Sequence, residues 1–138
     1  MGTDHDKRPA AFLDRDGVLN VDHSYAHKPN QLKLIAGAPE AVRLLNEAGY
    51  WVIVITNQSG VARSYYSETA VHNFHAHMQD ALRTQGTHVD AFYYCPHHPE
   101  GTVKELAVQC RCRKPKPGML KQAAREWPLD LNRSFFHR

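Results

Sequence analysis

Two short stretches carry residues able to do chemistry. FLDRDGVLN sets Asp14 and Asp16 on either side of a single residue, with Gly17 next. Two carboxylates this close, directly after an apolar run, suit a hard cation such as magnesium. They also suit phosphoryl transfer, one attacking phosphorus while the other moves protons. Gly17 lets the chain turn sharply behind them, and a solvated acidic turn is the plain alternative. The second stretch, CPHHPEGTVKELAVQCRC, holds every cysteine of the chain: Cys95, Cys110 and Cys112. Cys95-x-His97, twelve intervening residues and Cys110-x-Cys112 make two pairs of soft ligands joined by a loop. Three thiolates and one imidazole suit a closed tetrahedral zinc site, and His97 or its neighbour His98 can supply the nitrogen. Coincidental free thiols and a catalytic cysteine are the competing readings. Four protein ligands leave no open position, so the zinc is expected to be structural, holding a loop that has little apolar content of its own.

Two weaker signals accompany these. In TNQSG, the Thr56 hydroxyl and the loop amides can bind phosphate oxygens. In RKPKPG, Lys114 can neutralise a transferring phosphoryl group and Arg113 can clamp a second phosphate or a sugar. Each is also readable as an ordinary solvated loop.

The elements that must position these residues follow from the pattern of apolar runs. AAFLD (10–14), WVIVIT (51–56) and VDAFYY (89–94) read as buried strands, and SFF (134–136) as the start of a fourth. A helix is expected from Gly37 and Pro39 to about Ala48, with Ala41, Val42, Leu45 and Ala48 inward. A second is expected from an N-cap at Ser67 to Gly86, with Val71, Phe74, Met78 and Leu82 inward. A third opens at Pro117, with Leu120, Ala123, Ala124 and Trp127 inward. Strands alternating with helices imply a single α/β domain over 1–138, built on a parallel sheet with right-handed crossovers. Ligands bind such sheets beyond the carboxyl ends of the strands. Asp14 and Asp16 follow the first strand, Thr56 and Asn57 the second, and Cys95 the third.

Composition narrows the class. A chain of 138 residues, 42% hydrophobic, suits one core, and its formal charge of +3 is too mild to argue for a nucleic-acid partner. No run is long and apolar enough to span a bilayer, and MGTDHDKRPAAF lacks the apolar region of a secretory signal. A cytoplasmic location is expected, where clustered cysteines favour metal over disulfide. No exposed apolar stripe is evident, so a monomer is expected. Among the ten histidines, His72, His75 and His77 fall on the second helix and are expected on its solvated face; His23 and His27 follow the acidic pair.

Asp14-x-Asp16-Gly, Thr56 after a second strand and Lys114 in RKPKPG resemble the first three motifs of the haloacid dehalogenase (HAD) superfamily. FLDRDGVLNVDHSY, VITNQSGVAR, YYCPHHP and CRCRKPKPGM resemble, within it, the D-glycero-D-manno-heptose 1,7-bisphosphate 7-phosphatases, over roughly residues 10 to 136. The resemblance implies a Rossmann-like core without a large cap, a zinc loop over 95–112, and removal of the 7-phosphate of a sugar bisphosphate on the way to lipopolysaccharide. It makes Asp14 the nucleophile that forms an aspartyl-phosphate and Asp16 the acid and base. Magnesium is held by Asp14 and the backbone carbonyl of Asp16, and Thr56 and Lys114 stabilise the phosphoryl group. Asp22, His23, Ser24, Tyr25, Asn57, Gln58, Ser59 and Arg113 fall where the family meets substrate. It also selects His97 over His98 as the fourth zinc ligand.

The pattern departs from the superfamily at one place. Its fourth motif, an acidic cluster after a fourth strand, is not found; the chain reads SFFHR there, and Asp130 precedes the strand. The C-terminal part is therefore expected to be missing, and the chain as given is expected to hold magnesium poorly and to have little or no activity. A histidinol-phosphate phosphatase shares the zinc loop, although VDHSYAH and NQSGVAR look more like the heptose enzymes. A polynucleotide 3′-phosphatase is a more distant alternative, and a zinc-stabilised binding module without catalysis is an alternative of another class.

Overall fold

The computed structural model describes residues 7–137; residues 1–6 and Arg138 lie outside them. Four strands form one sheet: β1 (Ala10–Leu13), β2 (Trp51–Asn57), β3 (Ala91–Cys95) and β4 (Phe135–His137), in the order β3-β2-β1-β4. All pairings are parallel. Ala10 to Leu13 face Trp51 to Val54, Ile53 to Asn57 face Ala91 to Cys95, and Ala11 to Leu13 face Phe135 to His137. Helices α1 (Ala38–Glu47), α2 (Glu68–Arg83) and α3 (Gly118–Glu126) connect them. Each expected strand and helix is present, with no end displaced by more than three residues.

The period of two along each strand splits the buried side chains between two layers. Ala11, Leu13, Val52 and Val54 pack with Val42 of α1 and with Phe74, Met78 and Leu82 of α2. Ala10, Phe12, Ile53, Ile55 and Tyr93 pack on the other face with Met119 and Ala123 of α3. Both faces of β1 and β2 are covered, which is why these strands read as unbroken apolar runs rather than alternating ones. Ser67 caps α2 through its hydroxyl, accepting from the Ala70 N–H at 3.1 Å. No separately folded cap interrupts the described residues. The long excursion from β3 to α3 carries the cysteine cluster instead.

Three expectations are corrected. His75 is buried in α2, not solvated, because its ring stacks on Phe92 at 4.5 Å; His72 and His77 are exposed as expected. On α1, Val42 is buried and Leu45 half-buried, but Ala41 and Ala48 are exposed. They line an open apolar groove of about 600 Å³ with Leu44, Leu45 and Phe135. An exposed apolar face therefore exists beside the edge strand β4, against the premise on which a monomer was expected.

Candidate functional site

The parallel sheet brings the carboxyl ends of β1, β2 and β3 to one edge, and the chemistry-bearing residues converge there. Asp14 leaves β1 with its N–H donating to the His137 carbonyl of β4 at 3.0 Å. Its Oδ1 accepts from the Arg15 N–H at 2.8 Å, and its Oδ2 lies 3.1 Å from Lys114 Nζ. The chain then turns at Gly17, whose φ of +86° is the left-handed conformation that glycine adopts without steric cost. That turn folds Asn20 back so that its Nδ2 donates to Asp16 Oδ1 at 3.0 Å.

Asp16 is gripped more tightly than Asp14. Arg15 Nε and Nη2 reach its two oxygens at 3.0 and 3.1 Å, and Gln58 Nε2 reaches Oδ2 at 3.2 Å. Arg15 itself is fully buried, a position the sequence reading missed. Its guanidinium lies 4.5 Å over the Phe74 ring, donates to the Ala26 carbonyl at 2.9 Å and meets His75 Nε2 at 3.3 Å. Burial, then the charge of Arg15, push His75 from 6.5 down to about 3. The ring is thus neutral at physiological pH, and with its proton on Nδ1 it accepts from Arg15 through Nε2. The strand period was the available signal: Arg15 continues the Ala11–Leu13 face, which packs on α2.

At the carboxyl end of β2, Thr56 and, just beyond the strand, Gln58 are both buried. Gln58 Nε2 donates to Thr56 Oγ1 at 2.9 Å as well as to Asp16, while Tyr66 Oη donates to Gln58 Oε1 at 2.6 Å. Gln58, expected to meet substrate, has both ends of its amide engaged inside the protein. Asn57 accepts from the Lys114 N–H at 2.9 Å and donates to the Lys114 carbonyl at 3.3 Å. This pair of bonds fixes the Lys114 backbone, and Lys114 Nζ also donates to the Ile55 carbonyl at 3.1 Å. Ser59 is half-buried in the same loop.

Asp22, His23, Ser24 and Tyr25 are all exposed. Ser24 and Tyr25 have φ of 54° and 63°, unusual for residues with a Cβ, and Asp22 Oδ1 accepts from the Ser24 N–H at 2.9 Å. The Tyr25 ring meets Tyr65 edge-on at 4.7 Å, and His27 stacks on Tyr66 at 4.5 Å. Tyr65 and Tyr66 are further residues of this region that the sequence reading did not single out.

Cys95, His97, Cys110 and Cys112 gather with their ligand atoms all within 4.8 Å of one another. Cys110 Sγ is 3.5 Å from Cys95 Sγ and 3.6 Å from Cys112 Sγ, and His97 Nδ1 is 3.2 Å from Cys112 Sγ. Tetrahedral zinc with bonds of about 2.0–2.3 Å requires ligand separations of this order. The structure also joins the Cys95 and Cys112 sulfurs as a pair, so the same four groups can be written as a disulfide beside a thiol and an imidazole. His98 is not in the cluster: its Nδ1 accepts from the Glu100 N–H at 3.0 Å and its Nε2 meets Arg63 Nη2 at 3.2 Å. Arg113 follows Cys112 directly, and its Nε is buried without a partner among the described residues, as is that of Arg63.

A family model described as polynucleotide kinase 3 phosphatase matches residues 10–136. A D-glycero-beta-D-manno-heptose-1,7-bisphosphate 7-phosphatase of Rhodopseudomonas palustris is 50% identical over 129 residues, covering 94% of this chain and 72% of the relative. One of the same name from Pasteurella multocida is 48% identical over 128 residues, covering 93% of this chain and 69% of that relative. The chain belongs to the heptose-bisphosphate phosphatase family. Solved structures agree on the fold. A HAD-like phosphatase from Mesorhizobium loti superposes with a TM-score of 0.89 at 40% identity, covering 94% of this chain and 62% of that one. The D,D-heptose 1,7-bisphosphate phosphatase of B. bronchiseptica, complexed with magnesium and phosphate, gives 0.74 at 36%, covering 86% of this chain and 63% of that one. The chain thus spans less than two thirds of both solved chains. Three of the stretches that carry the family resemblance, FLDRDG, TNQSG and RKPKPG, are the ones that meet at the sheet edge.

Proposed function

We propose that this protein is a magnesium-dependent phosphoric monoester hydrolase that removes the 7-phosphate of D-glycero-D-manno-heptose 1,7-bisphosphate. The observation that carries the reading is the single cluster of Asp14, Asp16, Thr56 and Lys114 at the carboxyl edge of a parallel sheet, tied together by the bonds to Gln58 and by the ion pair of Lys114 with Asp14.

In this reading a carboxylate oxygen of Asp14 attacks phosphorus and the bond from phosphorus to the sugar oxygen breaks. Asp16 gives its proton to that leaving oxygen. Asp16 then takes a proton from water, the water oxygen attacks phosphorus, and the bond to Asp14 breaks, releasing inorganic phosphate and the free carboxylate. Lys114 offsets the charge on the transferring group, and Thr56 donates to one of its oxygens. The Asp14 carboxylate and the Asp16 backbone carbonyl are hard oxygen donors, the type magnesium prefers. The ion would offset the repulsion between a carboxylate and an anionic phosphate. Asp130, just before β4, lies at the other end of the sheet from Asp14: its N–H donates to the Arg8 carbonyl and Arg133 pairs with it.

In this reading Arg113, whose buried Nε has no partner among the described residues, and the exposed segment Asp22–Tyr25 would meet the sugar and its other phosphate. The Cys95–His97–Cys110–Cys112 set fits a structural zinc that would hold Arg113 and Lys114 in place. The substrate is then a water-soluble sugar phosphate of lipopolysaccharide synthesis, turned over in the cytoplasm, with neither nucleic acid nor membrane as partner. Phosphate release from heptose 1,7-bisphosphate at high magnesium, compared with release from histidinol phosphate and a 3′-phosphorylated oligonucleotide, tests the assignment. Preference for either of the latter would reject it.

A further inference from the structure

Gln58 has an amide whose orientation chemistry decides. Its nitrogen faces a carboxylate and a hydroxyl oxygen, Asp16 Oδ2 at 3.2 Å and Thr56 Oγ1 at 2.9 Å. The flipped amide would set its carbonyl oxygen against the carboxylate, so Nε2 must point there and Oε1 must point away. Oε1 is met by the Tyr66 hydroxyl at 2.6 Å, within a side chain only partly exposed. Burial is the main cause that pushes this hydroxyl up to about 12, so it remains a donor at physiological pH.

The proton directions then follow in one chain. Tyr66 gives its proton to Gln58, and Gln58 gives its two to Asp16 and Thr56. Thr56 is left as a donor whose one other hydrogen bond among the described residues is to the Asn57 carbonyl, at a long 3.5 Å. Its proton is free for an incoming anionic oxygen. Tyr66 is held for this task by packing: its ring stacks on His27 at 4.5 Å and lies over Gly60, where an added Cβ would come within 2.6 Å of Tyr66 Cζ.

We infer that Tyr66 is a positioning residue that, through Gln58, orients the Asp16 carboxylate and the Thr56 hydroxyl for the reaction. It touches neither the phosphoryl group nor the nucleophile. The inference rests on the phosphatase reading above, and the test separates the two.

Tyr66→Phe keeps the ring and removes one hydrogen bond. With saturating magnesium and heptose bisphosphate, kcat is expected to fall about 10-fold or more, the scale on which supporting contacts around a site act. KM and the thermal midpoint should stay near those of the unaltered protein. A merely structural role would move the midpoint, and a substrate contact would raise KM. An unchanged kcat, or a raised KM with kcat intact, overturns the inference. The second readout is the Gln58 side-chain amide pair in nitrogen–proton spectra, assigned by its loss in Gln58→Leu. These signals should shift in Tyr66→Phe. If the unaltered protein releases no phosphate, the phosphatase reading fails, and the amide signals alone decide the relay: unmoved signals overturn it, moved signals support it.

Discussion

Lys114 Nζ lies 3.1 Å from Asp14 Oδ2, and Lys114 follows Cys112 by two positions. The cation facing the proposed nucleophile is therefore anchored on one side by the cysteine cluster. It is anchored on the other by Asn57, whose amide bonds both the N–H and the carbonyl of Lys114. Lys114→Met is expected to lower kcat by about 10²–10³-fold, the scale for losing one preorganised charge-stabilising group. Its unfolding midpoint should change little, because the pair is partly exposed. Steady-state kinetics beside a thermal melt check this; a melt that collapses with kcat preserved would contradict it.

The cluster predicts a metal count. Purified without chelator, the protein should carry about one equivalent of zinc, and all three cysteines should titrate once it is denatured without reductant. Cys110→Ser should lose most of the zinc. A metal-free protein with a single titratable thiol would instead support the Cys95–Cys112 disulfide.

Gly118 opens α3 against the end of the cysteine loop. A Cβ there would collide with the Arg111 carbonyl and come within 2.8 Å of Cys112 Cα, so backbone must shift. Gly118→Ala should cost about 2 kcal/mol, read from urea unfolding, with zinc loss at lower chelator concentration. Unchanged stability would show that the loop moves freely on α3.

His75 gives a pH dependence with a definite sign. Its folded value of about 3 is below the ordinary 6.5, so between those values the unfolded chain binds more protons than the folded one. Stability is then full above about pH 6.5 and erodes as the pH falls toward 3. From pH 7 to pH 5.2 the loss from this residue should be about 1–2 kcal/mol. His75→Gln keeps an acceptor for Arg15 but does not titrate, so it should flatten that slope relative to the unaltered protein. Parallel slopes in urea melts at the two pH values would contradict the buried neutral ring.

Much of the fold could be read from the sequence because the two central strands are covered on both faces. WVIVIT carries that burial in its composition, and Gly and Pro punctuate the helices around it. The acidic pair and the cysteine cluster were legible because few other roles demand those residue types at those spacings. Arg15 was not, since a charged residue between two aspartates reads as solvated. Its place in the strand period hints at the inner face, and the packing of Phe74 and His75 from α2 shows that it is buried. Tyr66 and Gln58 were not recognised as partners either, being eight positions apart across an irregular turn, where no periodicity connects them. The exposure of Ala41 and Ala48 on α1 reflects the same limit: an amphipathic pattern marks a face that prefers burial without saying what covers it.

The central claim is that Asp14 attacks phosphorus, and the direct measurement is phosphate release from heptose 1,7-bisphosphate at high magnesium by the unaltered protein and by Asp14→Asn. The account predicts measurable release that falls by about 10³-fold or more in the variant, with the fold unchanged by circular dichroism. Equal release from both proteins would contradict it.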